Sequence, residues 1–386
     1  MACVAALLTV LLFGLAPAPV WVGADDDKDE ATFRGKRATE WKEILASDKE
    51  PKRRRVALIA LEQFGPKSRM VVPAVSESLR KDESEDVRAA AAQMLGRFLP
   101  QALSEKVDIR SGVEALTEAL RVDKSDKVRE ASAAAIGRVG AEARTAVPTL
   151  AGALKDKHPG TTAAAAESLA SMGEVAQSAA PALLEALKDK KADRFARAFA
   201  AIALVRIGGP DVGKAAPALT ETLADTKAPT AVRETSARLL GQLENEAAPA
   251  VPTLALALKD NAVEIRRAAA GSLAELGTLA KDALPALEKA IQDDKDKNVR
   301  CSAIHAVGGL GKDGARSVTL LVGCVRQNII EVRLAAIRAL GNIGPAAEGA
   351  VKTLENAARE SQPDIREAAL DAIKKIQSPK DTKPKS

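Results

Sequence analysis

Aromatic side chains are nearly missing from this chain of 386 residues: they make up 2% of it, and tyrosine is absent. The apolar interior therefore has to be built from Ala, Leu, Val and Ile, and base-stacking platforms find almost no material. Cysteine is equally scarce. Cys3, Cys301 and Cys324 are the three present, too few for a disulfide framework. Histidine occurs only at His158 and His305, far apart, and no His-x-x-His or Cys-x-x-Cys spacing is available to hold zinc. No G-x-S-x-G elbow, P-loop or dinucleotide fingerprint occurs, and no stretch alternates β-branched with polar residues as a strand does. These absences give no support to hydrolytic, nucleotide-driven or metal chemistry. The chain is expected to be non-catalytic and to carry no cofactor.

Charge is nearly balanced as well. The net charge is +5, and Arg34 to Arg55 alone holds nine basic and four acidic side chains, which accounts for that excess. A nucleic-acid binder carries its basic face along much of its length, so no nucleic-acid partner is expected. The run Lys52-Arg53-Arg54-Arg55 reads as the solvated start of a helix. The alternative is a contact with an envelope surface or another polyanion.

One apolar run stands out. Residues 1–24 lack charged side chains, Val4 to Leu15 is apolar, Pro17 and Pro19 break it, and Val22-Gly23-Ala24 offers small residues for cleavage. This pattern predicts a secretory signal peptide and a secreted or periplasmic protein, with an uncleaved N-terminal membrane anchor as the alternative. No later segment is apolar and long enough to span a membrane, so none is expected after cleavage. Asp25 to Arg37 is a charged segment expected to be flexible. Ser378 to Ser386 is a Lys/Pro-rich tail expected to be disordered.

What fills the rest is repetition. The pattern V-R-x-A-A-x-x-x-L-G-x-x-G returns about every thirty-four residues. It reads Val87-Arg88 with Gly96, Val128-Arg129 with Gly137 and Gly140, and Ile265-Arg266 with Gly277. It returns as Val299-Arg300 with Gly308 and Gly311, and as Val332-Arg333 with Gly341 and Gly344. Weaker copies lie at Val56, Thr161, Ala196-Arg197, Val232-Arg233 and Ile365-Arg366. Such a period denotes a solenoid, in which each unit buries its apolar face against its neighbours. Each unit reads as two helices. The first often opens with Pro, as at Pro148, Pro181, Pro217, Pro252 and Pro285, because the first helical turn tolerates a missing amide. An acidic turn follows, at Asp82, Asp123, Asp156, Asp189, Asp225, Asp260 and Asp293. The second helix starts near the Val-Arg pair and buries positions zero, four, eight and eleven after the Val, as in Val332, Ala336, Leu340 and Ile343. The expected fold is all-α: a right-handed α-solenoid superhelix of about ten two-helix repeats over residues 38–377.

Together these features resemble HEAT repeats, and most closely the bacterial subtype called phycobilisome-lyase-type HEAT-like repeats. The resemblance implies an Asp–Arg pairing between turns and helices. It leaves activity open, because function on a widely used fold resides in a particular site. A bilin-lyase-like or deoxyhypusine-hydroxylase-like subunit is one alternative, although the His-Glu pairs that hold iron in the hydroxylases do not occur here. Glycosylases of this fold use aromatic side chains around the lesion, and Trp41 is the only tryptophan beyond the signal.

Two groups of candidate residues follow. Arg88, Arg129, Arg197, Arg233, Arg266, Arg300, Arg333 and Arg366 recur in step with the turn aspartates and are expected to form a structural ladder. Second-helix positions six and ten are free of core duties and are expected to border the concave face. They contribute Arg97, Arg138, Arg206, Arg238, His305 and Arg338 as partner-binding candidates, with Ile202 in the same row. The expected partner is a protein or peptide, and the expected state is a monomer. Cys301 falls at an exposed repeat position and Cys324 at a buried one, an arrangement that does not favour a bridge.

Overall fold

The computed structural model describes residues 32–65, 68–189 and 193–378. The signal segment 1–24, residues 25–31 and the tail from 379 lie outside the described residues. The described chain forms two compact units, one ending at Ser168 and one beginning at Leu169.

The first unit holds α1 (Ala38–Ser47), α2 (Pro51–Glu62), α3 (Val71–Lys81), α4 (Glu85–Ser104), α5 (Arg110–Val122), α6 (Asp126–Val139), α7 (Val147–Ala153) and most of α8 (Pro159–Met172). The second holds α9 (Ala180–Lys188), α10 (Arg194–Ile207), α11 (Ala216–Ala224), α12 (Thr230–Gly241), α13 (Val251–Ala257) and α14 (Val263–Glu275). It continues through α15 (Leu284–Asp293), α16 (Lys297–Gly309), α17 (Val318–Val325), α18 (Ile330–Ile343), α19 (Val351–Ala357) and α20 (Pro363–Gln377). These fall into ten successive helix pairs among the described residues. Odd-numbered helices are the first of each pair and even-numbered the second.

Each unit is a two-layer stack. In the first, α2, α4 and α6 pack in sequence, as do α1, α3, α5 and α7. In the second, α10, α12, α14, α16, α18 and α20 form the second-helix layer. The pattern of small and branched apolar residues explains the packing. Val332, Ala336 and Leu340 are fully buried and Ile343 nearly so, each one or two turns apart on one face.

The two glycines of each motif do different work. The later one ends the second helix in the left-handed region, as at Gly344 with φ 73°. The earlier one lies against the next second helix. At Gly341 a Cβ would stand 2.9 Å from the Ala372 Cα, closer than real side chains come. At Gly137 the neighbour is Ser168, whose hydroxyl donates to the Ala133 carbonyl at 2.8 Å. Gly241 and Ser272 repeat that arrangement, with Ser272 Oγ to Ala237 O at 2.7 Å. Close helix approach, as well as turning, thus selects glycine.

Residues 32–37 depart from the expected flexible segment. They form a hairpin of β1 (Thr32–Phe33) and β2 (Lys36–Arg37), antiparallel, turned by Arg34 and Gly35 at positive φ. The Trp41 indole N–H donates to the Phe33 carbonyl at 3.0 Å, so the hairpin covers the one tryptophan of the first repeat. Trp41 is buried in this structural role. Cys301 is half-buried, where exposure was expected, and Cys324 is buried; both are free thiols. No helix among the described residues is long and apolar enough to cross a membrane.

Candidate functional site

The recurring arginines lie where each second helix begins, beside the turn after the first helix. Arg88 Nε and Nη2 donate to Asp123 of the following repeat at 2.7 and 2.9 Å, while Nη1 donates to the carbonyl of Asp82 in its own turn at 2.9 Å. Arg129 treats Asp156 and the Asp123 carbonyl alike, at 2.7, 2.9 and 3.0 Å. Arg266 does the same with Asp294 and the Asp260 carbonyl, at 2.7, 3.2 and 3.0 Å. Arg233 reaches Asp260 at 2.5 Å and the Leu223 carbonyl at 3.0 Å.

Each receiving carboxylate is preorganised. Asp82, Asp123 and Asp294 sit at first-helix C-caps in extended conformation. Their side chains accept the backbone N–H two residues on, at 2.9 Å from Ser84, Ser125 and Asp296. The Arg129 fork holds Asp156 below the usual carboxylate range. The same is true of Asp123, where Arg88 and the Ser125 amide outweigh desolvation. Each of these arginines thus directs its fork at acceptors within the protein.

The ladder differs from the sequence expectation in several places. The turn acid is Asp294 and not Asp293, because α15 runs through Asp293 and only the next residue takes the extended cap. Arg197 bonds Glu221 of α11 at 2.8 Å, while Arg194 takes Asp225 at 2.8 Å. Arg300 donates to the Gln327 carboxamide and the Ile291 carbonyl. Arg333 donates to Glu360 and the Val325 carbonyl. Arg366, in the last repeat, reaches the Glu360 carbonyl at 3.5 Å and no side-chain acid among the described residues. In α8 the ladder position is Thr162, whose hydroxyl keeps the bond to the Asp156 carbonyl at 3.2 Å.

A further member is Arg54. It forks onto Asp82 at 2.7 and 2.6 Å and bonds the Asp48 carbonyl at 2.7 Å. The first repeat is therefore in register at Arg53-Arg54, and Val56 is not its starting position. This also corrects the reading of the basic run. Arg53, exposed, lies 3.6 Å from Asp48 and 3.4 Å from Glu50, while the exposed Lys52 and Arg55 have no ion pair among the described residues.

The partner-binding candidates lie on the solvent side of the second helices. In the first unit, Arg97 is a two-point partner of Glu62 on α2, both contacts 3.0 Å, and so is not free. Arg138 is exposed, with its guanidinium over Gly96. In the second unit Arg206, Arg238, His305 and Arg338 are all exposed. Ile202, in the same row as Arg238, is 5% exposed and belongs to the core. Partial desolvation and the nearby Arg338 push the His305 pKa down.

His158 lies in the turn before α8. Its Nδ1 accepts the Thr161 amide at 3.3 Å, and its ring stands 3.6 Å from Glu130 and 3.8 Å from Asp126. It acts as a helix cap. No group of three or more His, Cys, Asp or Glu among the described residues is arranged to hold a metal. One cleft of about 340 Å³ is walled by Asp260, Arg266, Lys289 and Asp294, so its polar lining includes engaged ladder residues.

Residues 38–108, 113–200, 216–308, 251–328 and 319–384 match the family described as HEAT repeats. No curated protein matches the chain. Among solved structures it is similar to an engineered protein, at 21% identity and TM-score 0.62, over 88% of this chain and 99% of that one. It also aligns with a mutant of Kap121p at 14% identity and TM-score 0.44, over 88% of this chain and 45% of that one. This chain thus spans less than half of Kap121p. The matched residues cover most of the sequence, and the chain belongs to the HEAT-repeat family, as an all-α solenoid of paired helices.

Proposed function

We propose that the protein is a non-catalytic scaffold that holds a protein or peptide partner along the solvent side of its second helices. The observation that carries this reading is a division of labour among the arginines. At the ladder, Arg54, Arg88, Arg129 and Arg266 are consumed in two-point bonds between repeats, whereas Arg138, Arg206 and Arg338 make no hydrogen bond or ion pair among the described residues. Solenoids present extended surfaces of this kind, and side chains that vary from repeat to repeat suit recognition by area and complementarity. Export through residues 1–24 is part of the proposal, supported by the apolar run and its small-residue end. So are a monomeric state and the phycobilisome-lyase-type subtype, which rests on the Val-Arg and L-G-x-x-G spacing.

The test is affinity capture. The chain from Asp25 onward is immobilised and exposed to envelope and periplasmic extract at two salt concentrations. A discrete protein retained at moderate salt is the expected result. Retention of salt-labile polyanions alone would favour an electrostatic role instead. Pigment or metal carried by the purified chain would point to a lyase-like or hydroxylase-like subunit.

A further inference from the structure

The second-helix face of the unit from Leu169 carries guanidinium groups that the fold leaves uncompensated. Arg206 and Arg338 are exposed and unpaired among the described residues, and Arg238 meets only Glu234 of its own helix, at 3.9 Å. Exposure does not by itself explain this. Arg267 and Arg316 are also exposed, yet each holds a carboxylate at two points, Asp296 at 2.9 and 2.6 Å and Glu288 at 3.1 and 2.5 Å.

Arg238, Gly271, His305 and Arg338 occupy the same position in α12, α14, α16 and α18, which pack in that order. At Gly271 the space a side chain would fill is open. The row therefore reads cation, gap, imidazole, cation. It ends at Asp371 of α20, which is neutralised by Lys375 at 2.8 Å.

We propose that this row is a docking track for an extended acidic segment of a protein partner, laid across successive second helices. The proposal rests on the scaffold reading and names the chemistry of its partner. Packed helices lie about 8–10 Å apart, so Arg238 and Arg338, three helices apart, are separated by roughly 24–30 Å. An extended segment rises about 3.3 Å per residue, so roughly eight residues connect carboxylates facing the two arginines. His305 between them offers a ring N–H to the segment. A nucleic acid fits poorly. It would bring a phosphate at every nucleotide to a row that offers two separated cations beside the exposed Glu275, and the row positions hold no aromatic side chain on which bases could stack.

The experiment measures fluorescence anisotropy of labelled nine-residue peptides with the full chain. The peptides carry Glu, Gln or Lys at both ends of a Gly/Ser/Ala background, and a nine-nucleotide single strand is run beside them. The acidic peptide is expected to bind, and to bind less tightly as salt rises. Arg238→Gln and Arg338→Gln should each weaken it roughly threefold to fivefold, the upper range for exposed charge pairs. Arg121→Gln, an exposed arginine of α5, should leave it unchanged, and circular dichroism confirms that each variant is folded. Equal binding of the Gln peptide overturns the acidic preference and leaves a peptide-binding face. Unchanged binding by both row variants, tighter binding of the oligonucleotide, or no binding by any peptide overturns the track. The scaffold reading itself is then decided separately, by the capture experiment.

Discussion

Arg129 closes a two-point ion pair on Asp156 of the next repeat, Nε to Oδ2 at 2.7 Å and Nη2 to Oδ1 at 2.9 Å, while its third arm holds the carbonyl of Asp123 at 3.0 Å. One side chain thus ties its own turn to its neighbour's. A solenoid has no single core, so its stability is a sum of repeat and interface contributions, and such ties belong to the interface. Arginine suits the position because its planar fork grips a carboxylate at two points while a third N–H holds a carbonyl; a lysine ammonium has no such fork.

Removing one tie should weaken the fold and leave it helical. Arg266→Ala strands Asp294, whose side chain is 6% exposed. Loss of one partner of a buried pair costs about 3–5 kcal/mol, and partial exposure of Arg266 lowers the expectation to about 2–4 kcal/mol. Urea unfolding followed by circular dichroism checks this. An unchanged midpoint would remove the structural role of the ladder.

The step at Arg300 is neutral, since its acceptor is the Gln327 carboxamide. Gln327→Glu should convert it into a charged pair like that of Arg333 with Glu360. A gain of about 0.5–1.5 kcal/mol is expected, the difference between a neutral and a charge-assisted bond. A lower melting temperature would contradict it.

Glycine positions give opposite expectations. Glu244 stands where other repeats have their terminal glycine, and it adopts φ 47°. Glu244→Gly should therefore stabilise the chain by about 0.5–1 kcal/mol, relieving a left-handed residue. Gly344→Ala, at φ 73°, should cost about 1–2 kcal/mol by the same rule. Gly341→Leu should cost about 1–3 kcal/mol through a forced separation of α18 from α20. Thermal unfolding of the three variants orders them.

Acid should unfold the protein through the carboxylates held by arginine. Asp156 and Asp296 have depressed pKa values in the folded state, through Arg129 and Arg267 respectively. A depressed folded pKa contributes stability that is fully present above the unfolded value, about 3.9, and is lost as pH falls through the folded value. Stability should thus be level near neutrality and fall below about pH 4. Asp156→Asn should reduce stability at pH 7 and flatten that acid limb. A limb of unchanged steepness would show that Asp156 does not contribute.

The repeat architecture was legible because Val-Arg and L-G-x-x-G mark the same two demands in unit after unit. The exceptions were hidden for physical reasons. Arg54 lies among three other basic residues, and only its reach to Asp82 separates it from them. Asp293 and Asp294 are equivalent as composition; one extra residue of helix decides which becomes the cap. The hairpin at residues 32–37 is too short for an alternation pattern, although Arg34-Gly35 is a turn signal in hindsight. The close approach at Gly137 and Gly341, and the burial of Ile202, are not visible in one repeat alone, because helix-to-helix approach is a property of two repeats. Arg97 was legible as a surface residue but not as the partner of Glu62, for the same reason.

The most direct measurement is hydrogen exchange of the chain alone and with the protein that it captures. The account predicts added protection concentrated on the second helices α10 to α20 around Arg206, Arg238, His305 and Arg338, reduced when the three arginines are changed to Gln. Protection confined to the first helices or the ladder turns, or unaffected by those changes, would contradict it.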